Sequence, residues 1–320
     1  MPITRIFYAA DIHGSEICFR KFIGAGEFYK ANVLIYGGDL TGKIVVPIIK
    51  TSNGTYQAEV LGVLKEARNE SELRALQEML ENQGMYYYIT TSEEFEETRS
   101  DHKAVDQIFL KLMEERLRRW IRLAKEKLRG KNIKCYIMLG NDDHRSLKDV
   151  LAEEGEEGVV VDPEEKVVTI DAEHEMISLG YANITPWNCP GDLPEEELEK
   201  KIDELASKVN NLEKCIFNFH CPPYGTPIDQ APKLDENLRP IIGSSGPIFE
   251  SVGSMAVRKK IEEYQPLLGL HGHIHEARGV CKIGRTLCIN PGSEYGEGIL
   301  RGVIVNIEGK KVKSYMFVSG

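Results

Sequence analysis

Five short polar clusters each close an apolar run in this chain: Asp11-Ile12-His13, Gly37-Gly38-Asp39, Gly140-Asn141-Asp142-Asp143, His220, and Gly272-His273-Ile274-His275. They offer carboxylate, amide and imidazole, a mixed oxygen and nitrogen set suited to holding divalent cations against a phosphate. Taken singly, each has a plainer reading. Asp11 or Asp39 alone caps the helix or turn that follows, His13 or His220 alone is an ordinary satisfied histidine, and Gly38 and Gly140 are turn glycines. The ordered set, with each cluster in the same position after a run, reads as one metal site.

The runs explain how residues so far apart would meet. Ile3 to Ala10 leads into Asp11, Val33 to Tyr36 into Asp39, and Cys135 to Leu139 into Asn141. Cys215 to Phe219 leads into His220, and Leu267 to Leu270 into His273. Continuous apolar runs of this length predict strands buried on both faces. Open α/β sheets bind ligands in the loops beyond the carboxyl ends of their strands. The pattern therefore predicts a layered α/β fold with the clusters gathered on one edge.

The chain resembles the calcineurin-like metallophosphoesterases, whose pattern is D-x-H, G-D, G-N-[HD]-[DE], H and G-H-x-H in that order. It is most similar to the bacterial and archaeal predicted phosphoesterases through Gly37 to Lys43, Gly140 to Asp143, His220 to Thr226 and Gly272 to Glu276, with Asn290-Pro291-Gly292-Ser293 also matching. The resemblance implies a single domain over 1–320, a four-layer sandwich of two packed sheets flanked by helices. It also implies two divalent cations, Mn, Fe or Zn, held by Asp11, His13, Asp39 and His275 on one side and Asn141, His220 and His273 on the other. Asp39, a short anion with two oxygens, is the expected bridge. His273 and His275 are two residues apart, so a regular strand would point both the same way.

Asp142 stands where many relatives carry a histidine that contacts phosphate and protonates the leaving oxygen. An ionised aspartate there would repel phosphate and donate no proton. His144 is the candidate substitute, and Asn141 could offer its amide N–H₂ to phosphate. Asp143 is expected to orient a metal ligand from behind. The activity implied is hydrolysis of a phosphate ester, with a phosphodiester favoured, by in-line attack of a metal-bridging hydroxide. The alternatives are a phosphomonoesterase or nucleotide pyrophosphatase on the same centre, or a catalytically weak metal-binding scaffold.

Composition limits the partners. A chain of 320 residues with 42% hydrophobic residues can bury a large core without staples. The formal charge of −10 argues against non-specific nucleic-acid binding, though not against a nucleotide or other small phosphoester. The seven cysteines form no Cys-x-x-Cys pair, and no apolar stretch approaches the roughly 20 residues that cross a bilayer. With no basic-then-apolar leader at the first residues, a reduced, cytoplasmic protein is expected.

Between the second and third clusters, residues ~43–130 interrupt the strand-helix alternation. Lys43 to Lys50 and Thr55 to Leu61 flank the turn Ser52-Asn53-Gly54, and helices are expected over Val63 to Asn82 and His102 to Arg129. This region reads as an inserted cap or a surface for a second subunit. Tyr86-Tyr87-Tyr88 would either pack between the inserted helices or stack on a base. The stretch from His220 to Glu250, rich in proline and glycine, reads as a long loop.

Overall fold

The computed structural model describes residues 3–244 and 246–320. Two six-stranded sheets face each other. The first runs Lys311–Ser319, Arg301–Glu308, Thr4–Ala9, Val33–Gly37, Lys134–Met138, Val160–Val161 in spatial order. The second runs Gly279–Ile283, Thr286–Asn290, Leu268–Leu270, Ile216–Phe219, Glu175–Leu179, Val167–Thr169. The central strands are parallel within each sheet, so their carboxyl ends lie on a common edge.

Strand alternation builds the layers. Ile6, Tyr8, Val33 and Ile35 of the first sheet pack with Met176, Ile216, Leu268 and Ile289 of the second. Phe7, Ala9, Leu34, Tyr36 and Ile137 face the opposite way, onto helices Glu16–Phe28, His102–Leu128 and Leu147–Glu154. On the second sheet, Ile177, Phe217 and Phe219 pack outward on helices Glu195–Ala206 and Met255–Tyr264. Both faces of each sheet are covered, which is why the strands read as unbroken apolar runs. This is the four-layer α/β sandwich that the sequence implies. No helix is long and apolar enough to cross a membrane among the described residues.

The region after Asp39 differs in detail from its sequence reading. Val63–Ala67 is a strand, not the start of a helix. Leu61 and Gly62 both take positive φ, 50° and 79°, and close a two-residue hairpin with Val60 opposite Val63. Only Glu70–Asn82 is helical there, capped by Asn69. Tyr86–Thr91 is also a strand and completes a separate four-stranded sheet with Val45–Lys50, Tyr56–Val60 and Val63–Ala67. That sheet has its own apolar cluster around Val46, Ile48, Leu73, Leu76 and Leu80.

The long helix His102–Leu128 divides in two. Its last three turns carry Leu117, Trp120, Ile121, Ala124 and Leu128 into the outer layer of the first sheet. Those turns belong to the sandwich, so the inserted region narrows to the small sheet, its helices and the start of the long helix. The buried guanidinium of Arg116 joins the two, donating to Gly14 O at 2.9 Å and Met85 O at 2.8 Å while covering the Tyr86 ring. Tyr86 therefore packs against a helix and a cation rather than waiting for a base. The stretch expected as a long loop folds into short antiparallel pairs, Gln230–Pro232 with Phe249–Ser251 and Ile242–Gly243 with Gly246–Pro247.

Trp120 is the largest fully buried side chain, stacked on Phe19 at 4.3 Å and donating Nε1–H to Glu16. Trp120→Ala should lower the unfolding free energy by about 3–5 kcal/mol, since a large cavity results and Glu16 loses its buried indole donor. Leu64→Ala, at a side chain 67% exposed, should change it by no more than about 0.5 kcal/mol. Denaturant titration checks both, and equal effects would contradict this packing.

Candidate metal centre

Every predicted ligand follows the carboxyl end of a central strand. Asp11 and His13, Asp39, and Asn141 come from the first sheet, and His220, His273 and His275 from the second. The loops are laced to one another by backbone bonds. Asp11 N donates to Gly38 O, His13 N to Asp39 O and Gly14 N to Leu40 O, at 2.9–3.1 Å. The Tyr36 hydroxyl accepts from Ile12 N at 2.9 Å and donates to Asp39 O at 3.0 Å. Asp11, His13, Asp39 and His273 all take positive φ, between 39° and 68°, a conformation costly for residues with a Cβ. Gly38 sits at φ 107°, where an added Cβ would lie 2.5 Å from His220 Nδ1.

The side chains form two groups. Asp11, His13 and His275 bring their ligand atoms within 4.8 Å of one another, and so do Asp39, His220 and His273. Asp39 faces both, with Oδ2 3.6 Å from His13 Nε2 and Oδ1 3.3 Å from His220 Nε2. A third grouping of the same reach joins His13 and Asp39 to Asp142. His273 and His275 reach different groups because the strand ends at Leu270. His273 turns through the left-handed region, so the same-face geometry of a regular strand does not apply.

Several donors are pre-aimed. His220 Nδ1 lies 2.8 Å from Gly37 O, which fixes an N–H on that nitrogen and leaves the buried Nε2 facing the Asp39 carboxylate. Asn141 donates Nδ2–H to Asp192 Oδ1 at 2.9 Å, and its Oδ1 is buried and unpartnered. Asp192 is itself held by Thr185 and by Cys189 N. Asp143 lies behind the centre and accepts from Leu40 N, Thr41 N, Thr41 Oγ1 and Gly140 N at 2.5–2.9 Å, so it fixes the loop that carries Asp39. Ser293 Oγ donates to Asp11 O, and Ser293 N donates to His275 O.

Electrostatics indicate what this cluster lacks. Burial lifts the Asp11 carboxyl to about 6, against the pull of His220 and His275. Burial opposes charge on His220, yet the Asp39 and Asp11 carboxylates outweigh it and raise the imidazole to about 10. Burial, aided by His220, lowers His273 to about 3, and burial holds His13 well below the ordinary histidine range. Two dry carboxylates thus favour a proton on His220, while burial disfavours charge on His13 and His273. Neutral imidazole and carboxylate are the ligating forms, and a divalent cation would replace that proton as the counter-charge. Orphaned donors and unmet negative charge both fit the two divalent cations that the resemblance implies.

Not every residue expected at the site is gathered there, and two of its neighbours carry no motif signal of their own. His144 is exposed, with Nδ1 2.8 Å from Ser146 Oγ, and it is not gathered into the centre. The Asn141 amide already spends one N–H on Asp192, which was not anticipated because nothing in its surroundings follows a motif. Asp142 lies at the mouth, with its N–H on Asp39 Oδ1 at 3.1 Å, Cys189 Sγ 2.9 Å from its Oδ1, and Lys43 Nζ on its Oδ2. Lys43 was legible only as the last residue of the Gly37 to Lys43 motif.

No family model matches the chain. Over 118 residues it is 35% identical to Uncharacterized protein MJ1162 of Methanocaldococcus jannaschii, a match that covers 36% of this chain and 47% of that protein. The chain thus matches about half the length of that curated relative. One solved crystal structure superposes with a TM-score of 0.60 at 16% identity, covering 100% of this chain and 99% of the other. TT1561 of Thermus thermophilus superposes at 0.53 and 13% identity, covering 100% and 99%. At these identities the likeness is one of fold, a layered α/β architecture shared over nearly the whole of each chain.

Asp192→Ala should weaken binding of Mn²⁺ or Zn²⁺ by about 10–100-fold, because the Asn141 amide loses the bond that aims its carbonyl. His144→Ala should leave binding unchanged. Isothermal titration of the metal-stripped proteins checks this, and wild-type affinity in Asp192→Ala would show that the amide needs no such orientation.

Proposed function

We propose that the protein is a metal-dependent phosphoesterase that hydrolyses a phosphodiester at a two-metal centre. The observation that carries this reading is Asp39, whose two carboxylate oxygens face two separate histidine groups in a buried pocket. Asp11, His13 and His275 would hold one cation and Asn141, His220 and His273 the other, with Asp39 shared. When bound, Mn, Fe or Zn ions would polarise the phosphoryl group and acidify a water.

The residues of this chain do the rest. The Gly37 carbonyl keeps the His220 proton on Nδ1. Asp192 aims the Asn141 carbonyl, and Asp143 fixes the Asp39 loop against the cost of its positive φ. His273 and His275 stand on the half-open side, where a small phosphoester or nucleotide would enter. In the reaction the water oxygen bonds to phosphorus, the bond to one ester oxygen breaks, and that oxygen takes a proton. Asp142, engaged by Lys43 and Cys189, and His144, turned to Ser146, are both poorly set to supply it.

Leaving groups that need no protonation should therefore react best. A plot of log kcat against leaving-group pKa for aryl phosphodiesters, with the chemical step rate-limiting, should fall steeply in the wild type. Asp142→His should flatten it, since an imidazolium can attract phosphate and give up a proton. Equal slopes would mean that another group already protonates the leaving oxygen. Full metal loading without turnover of any ester would favour the scaffold alternative.

A further inference from the structure

At the mouth of the centre stands a charge pair that the ligand pattern does not use. Lys43 Nζ meets Asp142 Oδ2, with the lysine side chain 53% exposed and the aspartate 17% exposed, so solutes can reach both. Two hydrogen bonds fix Asp142 beside the ligand cluster. Asp142 N–H donates to Asp39 Oδ1, Cys189 lies against the other carboxylate oxygen, and an Asp142 oxygen comes within 4.8 Å of the ligand atoms of His13 and Asp39. Burial works against the Lys43 ammonium, but Asp142 and then Asp39 keep it charged. Tyr295, whose ring lies 4.9 Å from that of His13, completes the same rim.

Resting on the phosphodiesterase reading above, we propose that Lys43 binds a non-bridging phosphoryl oxygen and that Asp142 both positions Lys43 and selects substrates by charge. Where the commoner histidine would present a neutral or cationic ring, this rim presents an ammonium whose charge is offset by a carboxylate. A phosphodiester carries one negative charge, whereas a phosphomonoester carries nearly two near neutral pH, its second pKa being about 6. Each added substrate charge must approach Asp142 as well as Lys43. In a partly desolvated mouth, like charges set side by side are strongly disfavoured. The monoanion keeps the Lys43 contact at less cost, so the pair discriminates against monoesters instead of merely tightening binding. Lys43 would touch substrate; Asp142 acts through Lys43 and through repulsion, which makes it a positioning and specificity residue.

The test compares bis(p-nitrophenyl) phosphate with p-nitrophenyl phosphate at pH 7.5 in the full chain loaded with Mn²⁺, with metal content measured for every variant. Lys43→Met should raise KM for the diester about tenfold with little change in kcat, the mark of a contact made in ground and transition state alike. Lys43→Arg should recover most of that loss. Asp142→Asn keeps an oxygen for Lys43 but removes the charge, so the diester-to-monoester ratio of kcat/KM should fall at least about tenfold. An unchanged ratio in Asp142→Asn, or an unchanged KM in Lys43→Met, would overturn this inference. Loss of a metal in Asp142→Asn would do so too, by making Asp142 a ligand. No turnover of either ester by metal-loaded wild type would instead overturn the phosphoesterase reading beneath it.

Discussion

Two carboxylates, Asp11 and Asp39, are buried at the seam where two sheets meet, and the rest of the site answers that fact. Removing such charges from water is costly unless each finds a partner. Here the partners are imidazoles from the other sheet: His220 Nε2 lies 3.3 Å from Asp39 and 3.9 Å from Asp11, and His275 Nε2 lies 3.8 Å from Asp11. Imidazole can balance the carboxylates only by taking up protons, and burial opposes that at His13 and His273. A divalent cation on each side would remove the conflict. Each of the two ligand groups draws on both sheets, so such cations would also clamp the sheets together.

Backbone cost is concentrated at the same place. Four proposed ligands adopt positive φ, and no single interaction sustains them. Asp143 takes four donors from the Asp39 and Asn141 loops, Tyr36 joins Ile12 to Asp39, and Ser293 ties Asp11 to the His275 loop. Arg116 adds a longer support, from the long helix to Gly14 beside His13. The inserted sheet is therefore coupled to the centre through the backbone of one ligand loop, although none of the proposed ligands lies in it.

The sandwich was largely legible in the sequence because strands covered on both faces leave long apolar runs, and parallel sheets put their loops on one edge. The hairpin around Ser52-Asn53-Gly54 was legible from its turn residues. The strand Val63–Ala67 was missed because its first four residues are exposed and carry no alternating pattern, and the Leu61-Gly62 turn that defines it lacks the usual asparagine or aspartate. Motif order puts Asp11, His13, Asp39, His220, His273 and His275 in one set, and these six fall in two close groups, whereas Asp192 and Lys43 make contacts across 51 and 99 residues of chain that no local pattern records. His144 shows how little proximity in sequence to Asp142 fixes direction, since its side chain is exposed and turned to Ser146.

Anomalous diffraction from a crystal of the full chain grown with Mn²⁺ tests the central claim most directly. The account predicts two peaks about 3.5–4 Å apart. One should be bound by Asp11, His13 and His275 and the other by Asn141, His220 and His273, with one Asp39 oxygen near each. A single peak, or two peaks that leave Asp39 out of contact with either, would contradict it.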